Sequence, residues 1–341
     1  MYIFENLNSA LVGMCSNLLE YGETRETRGH HCVEIPYPVL ICINNPTDRY
    51  VTIPERKWNK VLPFAESLWL ALGLNDLDEL PGNYVKNLYN FSDNGRTWRA
   101  GYGPRMRYFS GHGSDYDISK RDEAKVYSGD INHTDQLKFV IDTLNRDINS
   151  RQAIITIHDP AKDDFDRDGG LKVTKDQPCT RSIHFQVNTK GELDCIVDIR
   201  SNDVLWGFSA VNVINFAIMQ EYVANIMGLP IGKYYHFAHN FHYYEDFESR
   251  VVELRDVGFS DPNYHKESVK FQYKDPIGDL ENFDFLLDLL FDYEKSLREG
   301  YSLPCDLGND MFNDWAKVFY NYWTKQPVYF ENPHLNKLFN I

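Results

Sequence analysis

Residues 211–227 carry apolar side chains on nearly every helical face, so a helix formed here has no side to offer water and must lie inside the molecule. The two segments before it supply a sheet to cover it. Ile183-His184-Phe185-Gln186-Val187 and Leu193-Asp194-Cys195-Ile196-Val197-Asp198-Ile199 read as strands, and Asn188-Thr189-Lys190-Gly191 between them reads as a hairpin turn. Further strands are predicted at 39–43, ended by Asn44-Asn45-Pro46, and at 153–157, ended by Asp159-Pro160. Helices are predicted over 10–21 with Gly22 as the stop, over 61–74 and over 135–144. Strands and helices mix without a regular βαβ alternation, which predicts an α+β fold with a large mixed sheet packed by helices.

Two stretches read as insertions, the Gly/Asp/Ser-rich 110–134 and the acidic 161–177. The second contains Asp163-Asp164-Phe165-Asp166-Arg167-Asp168 but lacks the placed Gly and terminal Glu of a calcium loop, so a solvated loop is expected. Near the end, 285–297 keeps Asp288 and Asp292 on a polar side, and Met311 to Thr324 spaces Trp315, Phe319 and Trp323 by four. Both predict helices. The expected organisation is a main domain over 1–270 and a helical extension over 271–341 packed on it.

The formal net charge is −15, from 35 Lys and Arg against 50 Asp and Glu. A field of that sign repels long polyanions and argues against nucleic-acid binding, while leaving room for a small anion gathered by clustered arginines. The six cysteines, at 15, 32, 42, 179, 195 and 305, form no CxxC pair. Free thiols in a reducing compartment are expected, with no metal site. No apolar run approaches the roughly 20 residues that span a bilayer. The N-terminus lacks a basic segment followed by an apolar one. The expectation is a cytoplasmic protein without a membrane partner, in a host's cytoplasm if a phage encodes it.

Gln177-Pro178-Cys179-Thr180 runs into the first strand of the hairpin, and Asp198-Ile199-Arg200-Ser201-Asn202-Asp203 ends the second. Alone, Cys179 reads as a core thiol. An arginine near it changes that reading, because a cation favours the thiolate and the thiolate is the nucleophile. Around this pair stand Glu66 with Trp69, Tyr102-Gly103 with Arg107, Asp135-Gln136-Leu137, Ser150-Arg151-Gln152, Arg200-Ser201-Asn202-Asp203-Val204-Leu205-Trp206-Gly207, and His236, Asn240, His242 and Tyr244.

In this order the motifs resemble those of the thymidylate synthase family, including its pyrimidine nucleotide hydroxymethylases, from about Leu18 to Glu245. The resemblance implies a thymidylate synthase-like catalytic domain with 5,10-methylenetetrahydrofolate as co-substrate and no metal. It implies that Cys179 adds to carbon 6 of a pyrimidine nucleotide monophosphate and makes carbon 5 a nucleophile toward the folate methylene. Arg28, Arg151 and Arg200 are implied to hold the phosphate with Ser201, and His242 and Tyr244 the sugar hydroxyl. Asn212 is implied to read the base edge and Asp203 to meet the pterin beside Trp206 and Gly207. Glu66 is implied to organise proton-carrying waters, with Tyr102 a further catalytic group. Because the family's Arg151 counterpart reaches a partner subunit, a homodimer is implied.

Four departures bear on the outcome. The segment where synthases carry a shielding tryptophan reads Val85-Lys86-Asn87-Leu88-Tyr89-Asn90-Phe91, the closing tail is not recognisable, Trp206 replaces an aliphatic residue, and Gln152 replaces an arginine. Without a one-residue insertion after Gly207, Val211 rather than Asn212 takes the base-reading place. A pocket that admits water converts the methylene intermediate to a hydroxymethyl group, whereas a shielded one awaits hydride. The preferred expectation is therefore a hydroxymethylase, on dUMP because an amide complements uracil, with dCMP as the alternative substrate. The competing readings are a thymidylate synthase with a diverged tail and a nucleotide-binding homologue without turnover. The hydroxymethyl product suggests DNA modification as its destination.

Overall fold

The computed structural model describes residues 1–27, 29–109, 134–166, 168–260 and 268–340. Its larger sheet has six strands in the order β1 (Tyr2–Phe4), β4 (Val39–Ile43), β9 (Ile231–Ala238), β7 (Leu193–Ile199), β6 (Thr180–Val187), β5 (Ile154–Thr156). The sheet is mixed: β1 with β4 and β7 with β9 run parallel, and the other pairs antiparallel. A smaller sheet has the order β2 (Glu23–Thr27), β3 (His30–Glu34), β10 (Phe241–Tyr244), β8 (Asn202–Asp203).

The predicted hairpin is β6–β7. Gly191 takes φ +78° in its turn, a left-handed value that favours glycine. The apolar helix follows as Val213–Met227, buried from Val213 to Ile226 and packed on β7 and β9. It is entered through Val204–Asn212, which winds in wide turns with five-residue hydrogen-bond spacing. Such turns leave carbonyls poorly partnered, and here Ser209 takes them up, its hydroxyl 2.7 Å from the Val204 oxygen and 3.1 Å from that of Leu205. The buried Arg56 also donates to the Leu205 carbonyl, and to the Ser209 hydroxyl at 3.0 Å.

The first helix begins at Leu7, earlier than its apolar spacing predicts, because Asn6 and Ser9 cap it reciprocally. The Asn6 side chain accepts from the Ser9 N–H at 3.0 Å, and the Ser9 hydroxyl accepts from the Asn6 N–H at 3.1 Å. The helix Leu62–Ala71 is buried at every residue, Glu66 included.

The 161–177 stretch departs from the solvated loop expected of it. Asp163 is fully buried, gripped by both nitrogens of Arg105 at 2.7 and 2.9 Å and by Arg99 at 2.7 Å. An acidic run in sequence conceals one carboxylate whose partners lie some sixty residues upstream. The 110–134 insertion, apart from Thr134, lies outside the described residues.

The predicted C-terminal helices are Leu280–Arg298 and Asp310–Thr324, followed by Pro333–Phe339. Their apolar faces join the same core as the sheets, through Phe283, Leu287, Phe312, Trp315 and Leu335 among others.

Candidate active site

The nucleophile candidate stands at the entry to β6. Cys179 is half-buried, its thiol 4.0 Å from the Gln177 carbonyl oxygen. Arg200, at the end of β7, fixes this loop: its guanidinium donates to the carbonyls of Pro178 and Gln177, both at 3.1 Å, and its backbone N–H donates to Cys179 at 2.9 Å. The arginine is thus the strut of the loop that carries the thiol.

Tyr102 connects the cysteine loop to the buried helix. Its hydroxyl accepts from the Thr180 N–H at 3.2 Å, and its ring stacks on Phe216 with centroids 6.1 Å apart. Burial, with Cys179 close by, pushes the phenol up to about 12, so it stays protonated at neutral pH. Phe216 follows Asn215, whose amide donates to Glu66 at 3.0 Å. The Ser67 hydroxyl donates to the Asn215 carbonyl at 3.0 Å, which fixes the amide with its nitrogen toward the carboxyl. Burial pushes Glu66 up to about 7, against the pull of that amide. A carboxyl poised there can both give and take a proton at neutral pH. Sequence reasoning missed Asn215. The available signal was its place three residues after Asn212, on the same helical face.

Asn212 itself lies at the junction between the wide turns and the regular helix, with helical φ and ψ and no capping bond of its own. A side chain at Gly207 would collide with the Asn202 amide nitrogen at 2.3 Å and crowd that of Asn212 at 3.2 Å. The glycine is required because two amides converge on it. Asn202 is held from behind by His236, 3.1 Å away, whose other ring nitrogen lies 3.2 Å from the Tyr234 hydroxyl. Burial lowers His236 to about 3, so it is a neutral link in this chain.

Asp203 accepts from the Trp206 N–H at the start of the wide turns, and burial pushes its carboxyl up to about 6. Among the described residues its second oxygen has no hydrogen-bond partner, an acceptor suited to the N–H groups of a flat heterocycle. Trp206 is 54% exposed beside it. On the smaller sheet, His242 takes a 2.8 Å bond at Nδ1 with Asn240 and meets Tyr244 edge-on at 5.2 Å. Ser201 is half-buried next to Arg200. Arg151 is exposed and without an ion-pair partner among the described residues. Arg28 lies outside the described residues.

The contacts therefore tie Tyr102 to the cysteine loop and to Phe216, tie Glu66 to the neighbouring Asn215, and set Asn202 and Asn212 around Gly207. The thymidylate synthase family model matches residues 10–288. The chain belongs to the thymidylate synthase family. It is 32% identical over 256 residues to the deoxyuridylate hydroxymethyltransferase of Bacillus phage SP01, an overlap covering 74% of this chain and 62% of that one. It is 30% identical over 254 residues to the deoxyuridylate hydroxymethyltransferase of Pseudomonas phage M6, covering 74% and 64%. The thymidylate synthase of Streptococcus thermophilus is more distant, 28% identical over 138 residues, with 40% of this chain and 46% of that one covered. The chain thus spans less than two thirds of the length of the hydroxymethyltransferases it matches.

Family membership accounts for the motifs, and the wide turns fit the one-residue insertion expected between Gly207 and Asn212. Five-residue spacing is the form in which a helix absorbs one additional residue without losing its direction. Among the described residues no group of three or more His, Cys, Asp or Glu could hold a metal ion, and no helix is long and apolar enough to cross a membrane.

Proposed function

We propose that this protein is a one-carbon transferase that converts dUMP to 5-hydroxymethyl-dUMP with 5,10-methylenetetrahydrofolate. The observation that carries the reading is that Tyr102 ties the Cys179 loop, at Thr180, to Phe216, while Asn215, the preceding residue on the same helix, holds Glu66. Cys179 adds as the thiolate to carbon 6, and the resulting enolate attacks the methylene through carbon 5. Loss of the carbon-5 proton and departure of tetrahydrofolate leave an exocyclic methylene. Water adds to that carbon and gives up a proton, the enolate so formed closes the carbon 5–carbon 6 double bond, and the Cys179 thiolate departs from carbon 6 with the C–S electron pair. Glu66 handles the protons. Arg200, Arg151, Arg28 and Ser201 hold the phosphate, His242 and Tyr244 the sugar, and Asp203, Trp206 and Gly207 meet the folate. The likeness to relatives named deoxyuridylate hydroxymethyltransferase supports uracil as the base. It also supports a place in a host cell's cytoplasm and a role in supplying modified DNA. A cytosine nucleotide is the alternative substrate.

Water capture is supported by the segment Val85 to Phe91, where the family resemblance places the shielding ring. Tyr89 is tied by its hydroxyl to Asp78 and packs on Gly82, and Leu88 is aliphatic. One observation favours the synthase reading: Trp98, four residues before Tyr102, is half-buried, meets Trp69 edge-on at 5.9 Å and donates to the Leu88 carbonyl at 3.1 Å. It offers a different ring near the same segment.

A homodimer fits the outer face of the larger sheet. Cross-strand neighbours Cys42, Tyr235, Ile196, His184 and Ile154 form one row, and Leu40, Phe237, Asp198 and Ser182 another. Tyr235, Ile196, Leu40 and Phe237 remain partly exposed in the single chain. Arg151, just before the β5 edge, is free to reach a partner's phosphate site.

The test is a mass-spectrometric product assay with dUMP, dCMP and methylenetetrahydrofolate, with Cys179→Ala as control. A hydroxymethyl nucleotide without dihydrofolate is expected, and from dUMP. Methylated dUMP with stoichiometric dihydrofolate would replace this reading by the synthase.

A further inference from the structure

The helix Leu62–Ala71 has no solvent-facing residue, so what fixes it in place is entirely what packs around it. Side chains bound to the C-terminal extension engage it at both ends. Near its start, the buried indole of Trp315 donates to the Phe64 carbonyl at 3.1 Å. At its end, Arg107 donates to the Ala71 carbonyl at 2.7 Å while paired with Asp284 at 2.9 Å and Asp135 at 3.1 Å. Trp315 lies beyond residue 288, where the family match stops. Glu66 sits between the two grips, two residues after Phe64 and five before Ala71.

We infer that the C-terminal extension is a positioning element for the Glu66 carboxyl, with Trp315 and Asp284 as the residues that transmit it. The inference rests on the proton-handling role proposed for Glu66. Other ties show that the extension is fastened independently of this helix. Tyr84 donates to Glu294 at 2.6 Å, Trp323 donates to the Tyr84 hydroxyl at 3.0 Å, and Arg298 donates to the Glu79 carbonyl at 2.9 Å. The Ile277 N–H donates to the Asn225 side-chain carbonyl at 2.6 Å, and the Asn225 amide donates to the Asp275 carbonyl at 3.3 Å. Loss of one grip therefore loosens the helix without releasing the extension. A carboxyl that must meet a ring or an ordered water tolerates little displacement, and an ångström of drift can cost about 100-fold in rate.

The experiment is a mutant cycle on the full chain, with dUMP and methylenetetrahydrofolate as substrates. Trp315→Phe keeps the ring and removes the N–H; Asp284→Asn keeps the shape and removes the charge facing Arg107. Each is made alone and on Glu66→Gln, with kcat, the KM for dUMP, the pH profile of kcat and the circular dichroism recorded. The expected result is a kcat loss of about 10-fold in the wild-type background with KM and dichroism unchanged. The limb of the pH profile governed by Glu66 moves, and neither substitution adds to the loss in Glu66→Gln. Unchanged kcat and pH profile would overturn the inference. An equal loss in both backgrounds would overturn it too, by showing a general effect on the fold. If Glu66→Gln keeps wild-type kcat, the proposed role of Glu66 falls and takes the inference with it. If the wild-type chain binds dUMP without product, the functional reading fails separately.

Discussion

Asp163 and Glu66 are both buried carboxylates, and they are held in opposite ways. Around Asp163 the chain gathers Arg105 and Arg99, and although burial pushes the group up, the bidentate arginine contact carries it down to about 2. Around Glu66, among the described residues, it gathers only the Asn215 amide, so burial prevails. Asp203 belongs with Glu66, since its backbone donors and Arg56 do not offset burial. A cation supplied in fork geometry marks a carboxylate that holds elements together. A buried carboxyl left without one keeps its proton into the neutral range, which is where acid–base chemistry needs it.

The contrast can be broken most directly at Glu66. Glu66→Gln should lower kcat by about 10²- to 10⁴-fold with little change in KM for the nucleotide. Its melting temperature at neutral pH should not fall, because a neutral amide replaces a buried carboxyl whose ionised form is disfavoured by burial. A kcat within threefold of wild type would erase the functional half of the comparison. Asp163→Ala strands Arg105, which has no exposed surface. It should cost about 3–5 kcal/mol in urea unfolding, and a loss below about 1 kcal/mol would show that the pair does not hold the 161–177 stretch.

The pH dependence of stability should separate the two groups by sign. Glu66 titrates near 7 when folded and 4.5 when unfolded, so the folded state binds more protons between these values. Stability should fall as pH rises through that window, by roughly 3 kcal/mol in all, and Glu66→Gln should remove the fall. Asp163 does the reverse: its contribution is complete above 3.8 and lost as pH drops toward about 2. Urea midpoints of wild type and both variants between pH 2 and 8 decide it. The smallest effect is expected at Asp203. Asp203→Asn should raise the half-saturating folate concentration roughly tenfold and leave dUMP binding alone, and an unchanged folate dependence would remove Asp203 from the folate site.

The β6–β7 hairpin and the buried helix were legible because their signals are local: a turn glycine, alternation, and an apolar run too complete to face water. The motif order was legible because the family's reactive residues occur in unbroken short strings. The Asp163 cluster was not, because Arg99 and Arg105 come from a separate segment and nothing beside Asp163 distinguishes it from Asp164 or Asp166. Asn6 was overlooked because Asn-x-x-Ser caps a helix as Ser-x-x-Glu does, without the charged partner that draws attention. Asn215 was hidden by the apolar helix it interrupts, where a lone amide reads as tolerated polarity until Glu66 is seen opposite.

The widened turns from Val204 to Asn212 have a consequence for how this chain can be altered. Each residue of an ordinary helix advances its side chain by about 100°, so the widened turns act as a phase adjuster between a strand that fixes Asp203 and a helix that fixes Asn215. Deleting Val211 would let the segment tighten to ordinary pitch, but only by changing the rotation of one anchor against the other. Grafting sequence between this protein and its relatives therefore has to respect angular register as well as residue identity. A chimaera joined inside 204–212 inherits the phase of one parent and the contacts of the other.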